Sequence, residues 1–319
     1  MKAFKIVSAL LLLALLLAPA AAFAEGTGAY ITVSGASGLD WICGVPWHDP
    51  GFAAFDADGK DRSGDVAVEG EVIPWRPGDY ELHYILKDGD RALAEATRLV
   101  HVQAQELPET VKPPKGTICL TFDDGPCENT GEVLAVLEKY GVKATFFVVG
   151  KQTKYLDMLP KIVEQGHTLG IHCNDHSAYG WLYENEQNYF GDLMAAQEIV
   201  HKYTGAYAHV VRFPGGSRTA SFLAATFPGG YEELYGLLHD AGVRVYDWNV
   251  QPESSTKTTE GTITDFTNPR EPYEYAVVLQ HDTRLFSVRA LERMIRWALD
   301  EGYSFAALDE TFPEIHFNQ

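Results

Sequence analysis

Cysteine is scarce in this sequence, and its scarcity limits the class of protein. Only four of the 319 residues are Cys. Small secreted domains that depend on disulfides carry cysteine at a much higher density, so a disulfide framework is excluded as the basis of the fold. Apolar residues make up 46% of the chain and aromatic residues 12%. These amounts suffice for the hydrophobic cores of one or two domains.

Positive charge is also scarce. The chain has 25 Lys and Arg against 44 Asp and Glu, a net charge of −19 at pH 7. Nucleic acids and anionic membranes attract basic surfaces, so we expect neither as a partner. A neutral or partly cationic glycan is compatible with this charge, although the charge also suits any exported protein that must stay soluble.

Long apolar runs are absent after the first residues of the chain. Residues 1–24 combine two Lys, an apolar run from Ile6 to Leu17 and small residues before Glu25. This is the layout of a secretory signal peptide; an uncleaved anchor is the alternative. The run is shorter than the roughly 20 residues of a spanning helix, and Pro19 would break a helix that continued beyond it. We therefore expect a cleaved signal peptide and a secreted or cell-wall-associated protein without stable membrane insertion.

Residues 25–103 have the pattern of a small all-β domain. Short segments of alternating polarity are separated by turn-forming sequences, which is typical of a β-sandwich. Strands are predicted at Tyr30–Val33, Val66–Val68, Glu71–Ile73, Tyr80–Leu86 and Thr97–Val102. The succession of Asp49-Pro50-Gly51, Asp58-Gly59, Pro77-Gly78-Asp79 and Arg98–Val102 resembles the immunoglobulin-like modules of bacterial exported proteins, which are usually spacers or wall-binding units. Residues 104–115 contain Pro108, Pro113 and Pro114 and are predicted to form a linker.

From Gly116, strand and helix patterns alternate. Strands are predicted at 117–122, 144–149, 210–213, 243–248, 276–280 and 303–308, and helices at 130–140, 156–165, 188–203, 231–241 and 287–300. Thr130 and Ser287 are possible helix caps. Such alternation predicts a parallel α/β sheet, either open or closed into a barrel.

Reactive side chains follow the predicted strands. They are Asp123 and Asp124, His172 and His176, Arg212, Asp247, and His281 with Asp282. Because the carboxyl ends of parallel strands share one edge of a sheet, we expect these groups to lie close together.

Two histidines and two acids in this set suggest a hydrolytic metal site. A spacing of four residues lets His172 and His176 bind one ion, although such a pair also arises by chance. A hydrolytic site needs about three protein ligands and an open position for water. One Asp and two His supply the ligands. Asp123 and Asp124 point to opposite faces of the backbone, so the second Asp is left to act as a base. Turn formation at Gly125 is the simpler reading, but a turn does not need two acids.

These motifs resemble the signatures of the NodB-homology polysaccharide deacetylases, carbohydrate esterase family four. Thr121–Pro126 looks like the first signature, Gly166–His172 followed by His176 is similar to the second, Arg212–Gly216 resembles the third and Leu279–Asp282 the fifth. The resemblance implies a distorted (β/α) barrel of fewer than eight strands over residues 116–319, preceded by the small all-β immunoglobulin-like sandwich.

The resemblance also implies a role for each residue. Asp124, His172 and His176 would bind a divalent metal, zinc or else cobalt or another divalent ion. Asp123 would be the general base, held ionised by Arg212, and His281 would be the general acid. Oxyanion and substrate contacts would come from the Gly215 N–H, Pro214, Leu279 in the acetyl pocket, and Trp248.

The implied activity is removal of N-acetyl groups from an amino-sugar polysaccharide by a monomeric enzyme. Peptidoglycan N-acetylglucosamine is the expected substrate, with a chitin-like polymer as the related choice. An O-acetyl xylan esterase is an alternative, because the same metal chemistry permits it. A wall-binding protein that holds glycan without turnover is another.

The fourth signature is incomplete. Asp247 and Trp248 are present, but the family's next Asp falls at Ser254, with Glu253 beside it. Either Glu253 substitutes for that Asp or the acid His281 is less well supported.

Cysteines and aromatic residues follow the first two signatures. We hypothesise a disulfide between Cys127 and Cys173 in an exported protein; two buried thiols, or a thiolate near the metal, are the alternatives. Asp175 is either a partner of a metal-binding His or a turn residue. Tyr179, Trp181, Tyr183 and Tyr189 either stack on sugar rings or pack in the core.

Overall fold

The computed structural model describes residues 21–23, 27–177 and 179–317. Most of the predicted signal peptide lies outside these residues, and its cleavage stays a prediction. The chain divides into two compact units. One holds the described residues up to Trp41, with Trp47–Ile73 and Gly78–Gln103; the other holds Ile42–Pro46, Pro74–Pro77 and the described residues from Ala104 onward. No helix in the described part of the chain combines the length and apolar character needed to span a membrane.

The first unit consists of two β-sheets. Its strands are β1 (Ala21–Phe23), β2 (Tyr30–Val33), β3 (Gly38–Ile42), β4 (Phe52–Phe55), β5 (Val66–Glu69), β6 (Gly78–Asp88) and β7 (Arg91–Gln103), with a 3-10 turn at Ser63–Asp65. One sheet has the order β1-β2-β4 and the other β3-β7-β6-β5. Alternate residues of β7 are buried, including Val100 and Val102. The predicted all-β sandwich is therefore confirmed.

One predicted strand of this unit is wrong. Residues 71–73 form no strand. The strand that precedes them, β5, ends at Glu69. The next residue, Gly70, has φ 96° and lies against the carbonyl of Glu81, where a Cβ would not fit. The chain leaves the sheet at this close approach.

The second unit alternates strands and helices. Its elements are β8 (Thr117–Asp123), α1 (Thr130–Tyr140), β9 (Thr145–Val149), α2 (Leu159–Glu164), β10 (Thr168–Cys173), α3 (Tyr179–Leu182), α4 (Glu186–Thr204), β11 (Val210–Val211), α5 (Gly216–Leu223), α6 (Gly230–Asp240), β12 (Arg244–Val245), α7 (Thr259–Thr267), β13 (Tyr275–His281), α8 (Leu285–Asp300) and β14 (Ser304–Phe305). Further 3-10 turns cover Thr153–Met158 and Ala224–Thr226.

The strands of the second unit form one curled parallel sheet. Their order is β12-β11-β10-β9-β8-β13, and β14 also pairs with β8. A parallel bridge between Val250 and Val278 joins the chain after β12 to β13, so the two ends of the sheet meet. This is a distorted barrel with fewer than eight strands, as predicted.

Alternation along the strands separates two apolar faces. Cys119 of β8 packs with Phe147, Val277 and other buried residues inside the curl. Phe122, at an odd spacing from Cys119, points to the opposite face and is fully buried there. Asp123 therefore continues the inner face at the carboxyl end of β8.

Both predicted helix caps need correction. Thr130 is the first residue of α1 rather than its cap, and its hydroxyl donates to Asp282. Ser287 lies inside α8, which begins at Leu285, and its hydroxyl accepts a hydrogen bond from Gln280 at 3.0 Å. In both cases the hydroxyl bonds to a distant buried side chain, and sequence spacing does not reveal such a partner.

Candidate active site

The buried ion pair of Asp123 and Arg212 lies at the carboxyl edge of the sheet. Asp123 is 3% exposed and Arg212 is fully buried. The Arg212 Nη1 donates to Asp123 Oδ1 at 2.8 Å and to Thr121 Oγ1 at 2.6 Å. Asp123 and Arg212 therefore form a buried ion pair, in which each charge compensates the other.

Carbonyl groups hold the rest of the Arg212 guanidinium. Nε donates to Tyr246 O at 2.9 Å, and Nη2 donates to Asp247 O at 3.0 Å. The guanidinium carbon lies 4.2 Å from the centre of the Phe147 ring. These contacts fix the plane of the guanidinium and, through it, the orientation of Asp123.

Asp124 faces the two histidines. It has a left-handed backbone with φ 71°, so its carboxylate leaves the alternation of β8. Its Oδ1 lies 3.6 Å from His172 Nε2 and 3.5 Å from His176 Nε2. One ligand atom from each of the three residues lies within 4.8 Å of the others. This donor set has the size and composition of a three-ligand divalent metal site.

Two further observations show that these residues fit a metal ion. Asp124 Oδ1 is buried and has no hydrogen-bond partner among the described residues, which is costly unless a cation binds there. The Nδ1 of His172 lies 2.7 Å from the Arg212 carbonyl and donates to it, which leaves Nε2 as the lone-pair nitrogen facing Asp124. Burial lowers the pKa of His172, which favours the neutral ring that metals require.

Glu253 is the acidic side chain that contacts His281. Its Oε2 lies 2.8 Å from His281 Nδ1, and its Oε1 accepts the His281 backbone N–H at 3.0 Å. Arg284 donates to the same Oε2 at 2.6 Å. Burial raises the pKa of Glu253, but the hydrogen bond and charge of His281, with the charge of Arg284, outweigh it and lower the pKa. Glu253 therefore makes the contact that the incomplete fourth signature left open.

His281 also reaches the candidate metal ligands. Its Nε2, the nitrogen that does not face Glu253, lies 3.8 Å from Asp124 Oδ2. Both ring nitrogens therefore have assigned directions, one toward Glu253 and one toward the centre of the site.

The predicted substrate residues lie on neighbouring segments. Leu279 is buried on β13, two residues before His281. The Trp248 ring centre is 5.6 Å from the Arg212 guanidinium carbon. Gly215 is exposed with φ 79° directly before α5, and the preceding Pro214 is buried. A side chain at Gly215 would collide with Thr219, so this turn requires glycine.

The expected disulfide is wrong. Cys127 and Cys173 are both free thiols. Burial raises the pKa of each thiol, with nearby acids such as Asp282 at Cys127 and Asp192 at Cys173 adding to the effect. Among the described residues, the group of side chains placed to hold a metal is Asp124, His172 and His176 and includes neither thiol, so the alternative of a thiolate ligand is not supported either.

Two of the four aromatic side chains after the second signature, those of Tyr183 and Tyr189, belong to the core. Tyr183 is fully buried and donates to the Pro214 carbonyl at 3.2 Å, and Tyr189 is 3% exposed. Trp181 is 47% exposed. The side chain of Tyr179 lies outside the described residues.

Asp175 makes the contacts of a turn residue. It accepts the Ser177 backbone N–H at 3.0 Å and pairs with Lys151 at 2.6 Å. Neither contact involves a ring nitrogen of His172 or His176.

A third acid lies under the loop of Asp123 and Asp124. Asp282 is fully buried, accepts from Thr130 Oγ1 at 2.5 Å and abuts Gly125, where no Cβ would fit. Burial raises the pKa of Asp282 to about 6. Asp282 is part of the fifth signature, but the resemblance implies no role for it.

Two family models match the chain. Residues 110–234 match the model described as polysaccharide deacetylase, and residues 31–102 match the model of the bacterial surface protein Ig-like domain. The solved catalytic domain of a peptidoglycan N-acetylglucosamine deacetylase from Eubacterium rectale is 35% identical, with a TM-score of 0.60. The match covers 66% of this chain and 96% of that domain. The chain belongs to the polysaccharide deacetylase family.

Other members of the polysaccharide deacetylase family are also similar to this chain. A peptidoglycan-N-acetylglucosamine deacetylase of Bacillus cereus is 29% identical over 210 residues, which is 62% of this chain and 70% of that protein. The peptidoglycan-N-acetylglucosamine deacetylase PgdA of Listeria monocytogenes is 27% identical over 222 residues, 67% of this chain but 44% of that protein. The second unit is therefore the domain of a deacetylase enzyme. The family match ends before Glu253 and His281, which the fold brings to the site.

Proposed function

We propose that this protein is a metal-dependent hydrolase that removes N-acetyl groups from peptidoglycan N-acetylglucosamine. One observation carries the proposal: a paired carboxylate, a three-ligand metal site and a paired imidazole lie together at one edge of the sheet. They are Asp123 with Arg212, then Asp124 with His172 and His176, then His281 with Glu253. Amide hydrolysis needs a base, an electrophile and an acid, and these groups supply all three.

Asp123 is proposed as the general base. A divalent ion held by Asp124, His172 and His176, zinc in our proposal, would supply an acidified water and polarise the acetyl carbonyl. Asp123 takes the proton of the attacking water. The support for this role is its pairing with buried Arg212, which orients the carboxylate.

The backbone N–H of Gly215 is proposed to face the oxyanion of the tetrahedral intermediate. Its exposed position directly before α5 supports this role, because backbone N–H groups at a helix start favour negative charge. Leu279 and Trp248 are proposed to line the pocket for the acetyl group and its sugar.

His281 is proposed as the general acid. An amine leaves as a neutral molecule only if it is protonated, whereas an alkoxide is a better leaving group than an amide anion. A dedicated acid, held by Glu253 at 2.8 Å, therefore favours an N-acetyl over an O-acetyl substrate.

The polymer and the location are inferred from the relatives. The family members above are peptidoglycan deacetylases, and the first unit matches a domain of bacterial surface proteins. We propose peptidoglycan as the glycan, a secreted or wall-associated location, and a domain order of signal peptide, immunoglobulin-like domain, linker and deacetylase domain.

Acetate release tests the proposal. The purified protein, loaded with zinc or cobalt, is incubated with peptidoglycan, chitin oligomers and acetylxylan, and the Asp123→Asn variant serves as the control. We expect release from peptidoglycan that the variant lacks. Release from chitin oligomers alone would change the polymer, and release from acetylxylan alone would make the protein an esterase. No release from any of them by the metal-loaded protein would favour a glycan-binding role.

A further inference from the structure

A buried acid outside the proposed machinery lies against the loop that carries both histidines. Asp192 is on α4 and is 5% exposed. A carboxylate that is buried away from solvent needs hydrogen-bond donors from the protein. The identity of those donors shows which segment the carboxylate holds in place.

Both oxygens of Asp192 accept backbone N–H groups of this loop. Oδ2 accepts from Asn174 at 2.6 Å, and Oδ1 accepts from Asp175 at 2.9 Å. These are two consecutive amides between His172 and His176. Hydrogen bonds to a carboxylate are about twice as strong as neutral ones, so this is a firm attachment.

The carbonyl groups of the same loop are held from the other side. Gly150 donates its backbone N–H to Cys173 O at 3.0 Å, and Lys151 donates to Asn174 O at 3.0 Å. A Cβ on Gly150 would lie 2.5 Å from Asn174 Oδ1, so the two segments are in close contact. The loop is thus fixed between the end of β9 and the Asp192 carboxylate.

The two histidines differ in how much they depend on this loop. His172 belongs to β10, and its ring is fixed by the Arg212 carbonyl. His176 follows the loop, beyond the end of β10, and its side chain is 32% exposed. Its ring centre lies 5.0 Å from that of His172. The loop conformation therefore sets the distance between the two nitrogen ligands.

We propose that Asp192 is a positioning residue for the metal site, because it holds the loop in the shape that places His176 beside His172 and Asp124. It touches neither the ion nor the substrate. The inference rests on the proposed metal-dependent function and adds to it a residue of α4 that sets metal affinity.

The same helix offers a matched control. Gln197 is also on α4, is 2% exposed and also binds a backbone segment. Its Nε2 donates to Ala208 O at 2.8 Å, and its Oε1 accepts the Ala208 N–H at 2.9 Å. Ala208 precedes β11 and lies near no proposed ligand in sequence. The two side chains therefore share helix, burial and type of contact, and differ in the segment that they hold.

Zinc affinity is the measurement. The full protein, stripped of metal, is titrated with zinc against a chromophoric chelator, in the wild type, Asp192→Asn, Asp192→Ala and Gln197→Met. The unfolding temperature of each metal-free variant is measured alongside. We expect the Asp192 variants to lose about 10- to 100-fold in zinc affinity, as for other groups that orient metal ligands. We expect Gln197→Met to lower the unfolding temperature with unchanged zinc affinity.

A structural role alone would give a different result. Unchanged zinc affinity in folded Asp192→Asn overturns the proposal, and so does an equal loss in Gln197→Met, since that would reflect general loosening. If Asp192→Ala does not fold, the nearly isosteric Asn variant decides. A wild type without zinc affinity overturns both this inference and the metal dependence. A wild type that binds zinc but releases no acetate overturns the proposed activity only.

Discussion

Asp123 and Asp124 are adjacent in the chain but have opposite surroundings. Asp123 is the last residue of β8 and pairs with Arg212. The guanidinium of Arg212 is fully buried and makes further hydrogen bonds to neighbouring groups. Asp124 leaves the strand with a left-handed backbone, and its buried Oδ1 has no hydrogen-bond partner among the described residues. The protein completes the environment of the first acid by itself, whereas the second acid offers a buried oxygen to a cation. This difference separates a proposed base from a proposed ligand.

Removal of the partner of Asp123 should have the largest effect. We expect Arg212→Met to lower the free energy of unfolding by about 3 to 5 kcal/mol, because it leaves a buried carboxylate unpaired. Urea unfolding of the metal-free protein measures this change. A loss below about 1 kcal/mol, as for a surface pair, would contradict the environment assigned to Asp123.

Asp124→Asn should have the opposite profile. Zinc affinity should fall by about 100-fold or more, because a carboxylate ligand is lost. The metal-free variant should unfold no more easily than the wild type, because Oδ1 has no hydrogen bond to lose among the described residues. Chelator competition and urea unfolding test the two halves separately. Wild-type zinc affinity in Asp124→Asn would remove it from the ligand set.

Glu253→Gln tests the third group of the site. We expect kcat to fall by about 10- to 100-fold with little change in KM, because the substitution removes the charge that orients His281 and keeps the side-chain size. The variant should bind zinc like the wild type. Glu253→Asp is the matched control, because it keeps the charge and shortens the side chain. Unchanged kcat in Glu253→Gln would show that the contact with His281 is only structural.

The smallest effect is expected at Asp282, the buried acid that lies against Gly125. Burial raises the pKa of this carboxyl from 3.8 to about 6. The folded state therefore binds the proton of Asp282 more tightly than the unfolded state does. The protonated carboxyl group stabilises the fold below pH 4, and this stabilisation is lost as the pH rises toward 6. Asp282→Asn should remove this loss and raise the free energy of unfolding of the metal-free protein at pH 7 by about 1 to 2 kcal/mol. An unchanged pH dependence between 4 and 6 would contradict this.

Much of the fold followed from local patterns. The helix over Thr130–Tyr140 matched its prediction, because apolar residues at helical spacing end at a glycine with left-handed φ. Helix α7, by contrast, was not predicted. Four of its nine residues are Thr, and β-branched residues weaken the helical signal, so packing rather than propensity forms it.

The candidate site also has residues that local sequence predicts and contacts that only packing decides. Residue type and order alone indicated Asp123, Asp124, His172 and His176, because metal binding and acid–base chemistry require those groups at strand ends. Sequence could not decide whether Glu253 substitutes for the missing Asp or His281 is less well supported, because the answer depends on how an irregular segment approaches β13. It also predicted a disulfide that the structure lacks, since nearby loops do not ensure that two thiols meet.

The sequence by itself determined the family, the parallel sheet, the all-β domain and the residues proposed to carry the chemistry, because these depend on local periodicity and on short motifs. The tertiary structure alone decided which groups support them. Glu253 reaches His281, and Asp192 reaches the loop before His176, from elements distant in the chain. A partner of this kind is selected by distance and burial after folding, and no local pattern records it.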